Sequence, residues 1–175
     1  LGLKKDYNGK ISTMEKLIKA FPQSEYLADA KYEIGRSYVM MEKKEKAIST
    51  YEALNKEYPH SPLSRKGQLQ TAMLYDELGN YKNAISTYKE IIKNFPNSAE
   101  ARASISGLKN IYFEQNDIDG YAAYVETLNG LVKFEKSEQD SLTYMAAERQ
   151  YEKGMYEKAI TSFGNYINKY PNSGF

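Results

Sequence analysis

Between positions 84 and 95 the apolar residues Ala84, Ile85, Tyr88, Ile91, Ile92 and Phe95 fall at i, i+1, i+4, i+7, i+8 and i+11. That spacing puts all six on one face of an α-helix. The same signal returns elsewhere, where Ala47 precedes Tyr51 and Ala159 precedes Phe163 by four residues. A second set of helices is marked by Tyr38, Tyr75, Tyr112 and Tyr151, each 17 residues after an aromatic that opens a turn. The pattern predicts first helices near 25–41, 62–78, 98–115 and 138–152, and second helices near 8–20, 45–57, 82–94, 119–133 and 157–169. No alternating strand pattern of useful length occurs.

The turns are as regular as the helices. They read Phe21-Pro22-Gln23-Ser24, Tyr58-Pro59-His60-Ser61, Phe95-Pro96-Asn97-Ser98, Phe134-Glu135-Lys136-Ser137 and Tyr170-Pro171-Asn172-Ser173, with aromatics 37, 37, 39 and 36 residues apart. A period of that size belongs to stacked repeats whose units cannot bury their apolar faces alone. Proline cannot continue the preceding helix, and Ser24, Ser61 or Ser98 is placed to cap the next one, with Pro62 suited to its first turn. Within each pair Gly79 and Gly154 supply the left-handed backbone that closes a helix.

One unit departs from the pattern. Tyr121 stands where the others have Ala47 and Ala84, Lys109 where they have Gly35 and Ala72, and Glu135 replaces the proline. The expectation is a second helix two residues longer and an altered superhelix at this unit, where either the local crossing angle opens or Gly107 and Gly120 restore close helix approach. The half unit before Phe21 and the turn opened by Tyr170 are expected to leave apolar faces of the terminal helices partly without their sequence neighbours. These include Ile11, Met14 and Leu17 at one end and Ile160, Phe163 and Ile167 at the other. The chain then reads as a piece of a longer array, with end-to-end self-association as one way of covering those faces.

These positions resemble the tetratricopeptide repeat. One unit matches through Ile34, Gly35, Tyr38, Ala47, Tyr51 and Pro59, and the next through Ala72, Tyr75, Gly79, Tyr81, Ala84, Tyr88 and Pro96. The resemblance implies an all-α, right-handed α-α superhelix of about four and a half helix pairs. It spans 1–175 as one array, with remnants at 1–21 and 170–175 and repeats near 22–58, 59–95, 96–134 and 135–170. It also implies that the first helices line a concave groove for protein or peptide segments. In this register the groove takes Asp29, Tyr32, Arg36 and Met40 from one helix, and Leu69, Met73, Asp76 and Glu77 from the next. Asn110, Phe113 and Glu114 follow, then Tyr144 and Glu148. The paired lysine and asparagine that clamp a C-terminal carboxylate in some arrays are missing there.

Composition changes this picture little. The 24 Lys and Arg nearly cancel the 23 Asp and Glu, so no whole-chain field favours nucleic acid. There is no cysteine, and no apolar stretch approaches the roughly 20 residues of a membrane helix. Of the 17 tyrosines, Tyr7, Tyr38, Tyr51, Tyr58, Tyr75, Tyr81, Tyr88, Tyr112, Tyr151, Tyr156 and Tyr170 keep the repeat register and are expected to pack rather than to bind ligand. The run Gln115-Asn116-Asp117-Ile118-Asp119-Gly120 with Glu126 imitates a calcium loop. Its first position is neutral and its last is expected inside a helix, so no metal is expected. His60, the single histidine, falls in a turn, and no catalytic set or cofactor motif stands out.

The turn Phe21-Pro22-Gln23-Ser24 followed by Ala28-Asp29-Ala30 resembles repeats of Gram-negative envelope proteins, among them outer-membrane assembly lipoproteins and the Tol-Pal accessory factor. So does the stretch from Tyr121-Ala122-Ala123-Tyr124 through Ser141-Leu142-Thr143-Tyr144 to Ala146-Ala147-Glu148. This implies a non-catalytic, periplasmic or outer-membrane-associated scaffold. The competing expectation is a helper region attached to a catalytic or ligand-binding domain.

Overall fold

The computed structural model describes residues 6–175. The part of the expected first half unit on residues 1–5 lies outside them. Among the described residues the elements are nine helices and no strand: α1 (Tyr7–Ala20), α2 (Leu27–Met40), α3 (Lys44–Glu57), α4 (Pro62–Glu77), α5 (Tyr81–Asn94), α6 (Ala99–Glu114), α7 (Ile118–Glu126), α8 (Lys136–Glu152) and α9 (Tyr156–Lys169). After α1 they follow as four helix pairs, α2 with α3 through α8 with α9, which makes about four and a half repeats.

The repeated turn has a backbone cause. Phe21, Tyr58, Phe95 and Tyr170 each end a second helix, donating their N–H to the carbonyls of Leu17, Leu54, Ile91 and Tyr166. Three residues on, the N–H of Ser24, Ser61, Ser98 and Ser173 donates back to that aromatic's carbonyl at 2.9–3.1 Å. The motif is thus a β-turn with proline at its second position, where a fixed φ is favourable. Ser61 and Ser98 then cap α4 and α6, accepting from the N–H groups of Leu63 and Ala101. Ser24 does not: its Oγ accepts from Tyr26 N–H, and α2 begins only at Leu27.

Within each pair the first helix closes on a left-handed residue at Glu42, Gly79, Asn116 and Gly154, with φ of 57°, 70°, 56° and 73°. The next N–H reaches back to the carbonyl of Tyr38, Tyr75, Tyr112 or Gln150 at 2.8–3.0 Å, as in a Schellman closure. In the last pair it is therefore Gln150, not Tyr151, that holds the register. Tyr151 falls one residue out of step and is exposed, stacked edge-on against the equally exposed Tyr156 at 5.4 Å. Tyr81 is also exposed, so three of the eleven tyrosines expected to pack do not.

The irregular unit is a second correction. Its second helix, α7, is shorter than its counterparts, ending at Glu126. Asn129 and Gly130 have φ of 49° and 84°, which no helix accommodates, and they take up the extra residues in a loop. Gly120 restores no helix contact. The nearest atoms to a Cβ added there belong to the Asp117 carboxylate, which caps α7 by accepting from Gly120 N–H. Tyr121 is nonetheless buried, 5.1 Å edge-on from Phe134 and 6.0 Å from Tyr112.

The chain divides into two compact units, Leu1–Ile105 and Ser106–Phe175. In the first, Ala28, Ala47, Ile48, Tyr51, Leu54 and Leu74 form one buried cluster. Tyr51 fits because two glycines stand against it: a Cβ on Gly35 would lie 2.4 Å from its ring, and one on Gly67 would lie 3.1 Å away. The second unit adds polar ties to its apolar interior. Asn116 donates to Ser162, whose hydroxyl donates to Gln150, each at 2.8 Å. The hydroxyls of Tyr166 and Ser173 both donate to Asp140. Lys109, in the place of a small residue, reaches Glu138 on α8 at 2.6 Å.

Candidate functional site

The first helix of each pair carries the sequence-predicted surface, and each unit presents its own part. In the first unit α2 and α4 pack against each other. Side chains spaced three and four apart on two adjoining helices make one continuous strip. Met40 and Met73 are 54% and 43% exposed, although each helix buries apolar residues on its other faces. Asp29 and Arg36 are exposed, Leu69 and Asp76 half-buried. Arg36 donates to Glu33 at 2.9 Å, and Glu33 also accepts from Lys10. Burial alone would raise the Glu33 pKa, but these two cations hold it below the ordinary carboxylate range. Glu77 meets Lys44 at 2.8 Å. The phenol of Tyr88 is pushed up to about 12, by burial first and then by the carboxylates of Asp76 and Glu77.

Tyr32 is only partly available, because its ring packs 5.7 Å from that of Tyr51. An open recess of about 220 Å³ is lined by Tyr7, Lys10, Arg36, Ser37 and Met40.

In the second unit the C-terminal turns of α6 and α8 meet the start of α9. Phe113 lies under the guanidinium of Arg149, 5.7 Å from the ring centroid. Glu114 pairs with Arg149 and with Lys153, the latter at 2.7 Å, and these contacts lower its pKa, the Lys153 hydrogen bond most. A recess of about 320 Å³ opens here, with Met155 and Lys158 on its α9 side. Asn110 and Glu148 are exposed nearby on the same two helices. Tyr144 is placed elsewhere: it packs 5.5–5.6 Å from Phe163 and Tyr166 of α9 and stacks on Phe175 at 5.1 Å. Arg149, Lys153, Met155 and Lys158 escaped the sequence reading. Their convergence depends on how α8 lies on α6, and no spacing within one segment encodes that.

The carboxylates of the calcium-like run are engaged otherwise. Asp117 caps α7, while Asp119 pairs with Lys169 and accepts from Gln139 at 2.8 Å, contacts that lower its pKa, Lys169 foremost. Glu126 is the last residue of α7. His60 is exposed in its turn beside Arg65, whose guanidinium lies 5.4 Å over the Phe95 ring. Among the described residues no helix is long and apolar enough to cross a membrane, and no cluster of three or more metal-ligating side chains occurs.

No curated protein matches the chain. Solved structures do. The nearly identical TPR-like repeats of a protein assigned as a Podosopora anserina kinesin light chain match with TM-score 0.53 and 11% identity, over 97% of this chain and 90% of that one. BtubC (BKLC) from P. vanneervenii matches with TM-score 0.58 and 14% identity, over 98% of this chain and 76% of that one. At such identities the likeness is one of fold. Residues 29–61, 67–98 and 140–173 match the sequence profile of the tetratricopeptide repeat. Those segments span more than half of the 175 residues and coincide with the helix pairs just described. The chain belongs to the tetratricopeptide repeat family, whose arrays generally mediate protein–protein interaction.

Proposed function

We propose that this protein is a non-catalytic scaffold that holds extended segments of partner proteins along the exposed faces of its first helices. The observation that carries the reading is the pair Met40 and Met73. Two flexible, polarizable side chains stand exposed on adjoining helices, flanked by Arg36 and Glu77, where a chain of no other function would gain solubility from polar residues. The mixed signs of charge beside them suit a peptide whose own charges set register, while the apolar anchors supply affinity. The setting we propose is the bacterial periplasm or the outer membrane's inner surface. Its support is the resemblance of the Phe21-Pro22-Gln23-Ser24 and Ala28-Asp29-Ala30 segments to envelope repeats.

Selection of an unbiased 16-residue peptide library on the immobilised protein tests the binding surface. Peptides that survive should lose affinity about tenfold or more on Met40→Ala or Met73→Ala, the order of a hot-spot loss. Ser86→Ala, on the exposed side of α5, should leave them unchanged. Retention of full affinity by both methionine variants would show that the face is not used.

A further inference from the structure

The recess between the ends of α6 and α8 carries an excess of positive charge, where the strip on α2 and α4 carries both signs. Arg149 and Lys153 are one helical turn apart on the same face of α8, and Lys158 faces the recess from α9. Against these three cations the lining offers one carboxylate, Glu114, which is already shared between Arg149 and Lys153. Lys158 has no ion pair among the described residues. Glu114 therefore organises the cations without neutralising them, and it pairs with the same Arg149 guanidinium that lies 5.7 Å from the Phe113 ring centroid.

We propose that this recess binds an acidic stretch of the partner segment, with side-chain carboxylates on Arg149, Lys153 and Lys158 and an adjacent apolar side chain against Met155 and the open edge of Phe113. The inference rests on the scaffold reading above and narrows it, because the second unit then selects which segments are held. Three features favour this ligand. Arginine pre-organised by a carboxylate and an aromatic ring presents its remaining donors without having to order itself on binding. The cations are three separate groups, two at the end of α8 and one on α9, which suits several acidic side chains better than the single point of a chain terminus. The recess walls also include Ala146 and Met155, so charge and apolar contact are offered side by side.

The test compares four fluorescein-labelled 12-residue peptides of identical leucine and phenylalanine content. Three are amidated and carry three glutamates, three glutamines or three lysines; the fourth carries the glutamines and a free C-terminal carboxylate. Anisotropy titration at 50 mM and 300 mM NaCl should show the glutamate peptide binding at least tenfold more tightly than the other three at low salt. High salt should narrow that advantage. Lys158→Gln, at an exposed side chain with no structural partner, should cost the glutamate peptide about three- to tenfold and leave the glutamine peptide unaffected, with unchanged circular dichroism. Lys153→Gln with Lys158→Gln should remove the preference.

Equal binding of glutamate and glutamine peptides, both weakened by Met73→Ala, would overturn the acidic selectivity while leaving the scaffold reading in place. A free-carboxylate peptide as tight as the glutamate peptide would overturn the proposal in favour of a chain terminus. No binding of the glutamate peptide below 1 mM, roughly 4 kcal/mol, would also overturn it.

Discussion

Ile92 on α5 and Ile167 on α9 each stand 13 residues after the left-handed glycine that precedes their helix, yet Ile92 is 1% exposed and Ile167 64%. Ile48 and Ile160 repeat the contrast at 7% and 67%. The helices share the same pattern of apolar positions. What differs is the following helix: α4 packs on α3, and among the described residues no helix follows α9. A second helix in this fold is finished by the first helix of the next pair, so burial is a property of the neighbour rather than of the segment.

The sharpest way to break this comparison is to truncate both members. Ile92→Ala should cost about 2–4 kcal/mol, as for a fully buried large aliphatic residue. Ile167→Ala should stay within about 0.5 kcal/mol, as for exposed positions. Urea denaturation of the two variants measures both, and similar losses would mean that α9 is covered in solution. In a self-association experiment by sedimentation, Ile160→Glu with Ile167→Glu would then shift the protein toward monomer.

Close packing inside the first unit gives the next largest effect. Gly35→Ala places a methyl against the ring of Tyr51, which is buried in the core, and should destabilise by about 1–3 kcal/mol. Gly164→Ala, at an α9 glycine with open space around it, should instead be neutral or stabilising by up to about 1 kcal/mol, the helix preference for alanine. Thermal melting distinguishes the two.

Acid should separate the units less strongly. Glu114 and Asp119 of the second unit and Glu33 of the first have folded-state pKa values held below their unfolded ones. Such groups contribute stability above about pH 4, where the unfolded carboxylates are ionised, and lose it as pH falls through the lower folded values. Hydrogen-exchange protection, corrected for intrinsic rates, should fall more in α8 and α9 than in α3 and α4 between pH 6 and pH 3. A modest gain is expected at Glu42, a non-glycine residue held at φ 57° where Gly79 and Gly154 stand in other pairs. Glu42→Gly should stabilise by about 0.5–1 kcal/mol in the same melting assay.

The helix pairs were legible from the sequence because each boundary is written locally. Proline at the turn, serine as cap and glycine at the closure each act on backbone groups only a few residues away. The α7 helix was not, since the Asn129-Gly130 break competes with an apolar pattern that runs past it, and the longer pattern misled. Tyr151 misled for a related reason: the aromatic matched the spacing from Phe134, while the backbone closes one residue earlier at Gln150. At the binding surface, Met40, Met73 and Phe113 could be named because helix register alone places them. The cations around Glu114 come together only through the packing of α8 and α9 against α6.

The six methionines offer a direct reading of where a partner lies. With ¹³C-methyl methionine and the tightest peptide from the unbiased selection, the NMR signals of Met40 and Met73 on the first-helix strip, and of Met155 in the recess, should shift on titration. Met14 on α1, which belongs neither to that strip nor to the recess lining, should not. Movement of Met14 with Met40, Met73 and Met155 unmoved would contradict a binding surface on the first helices.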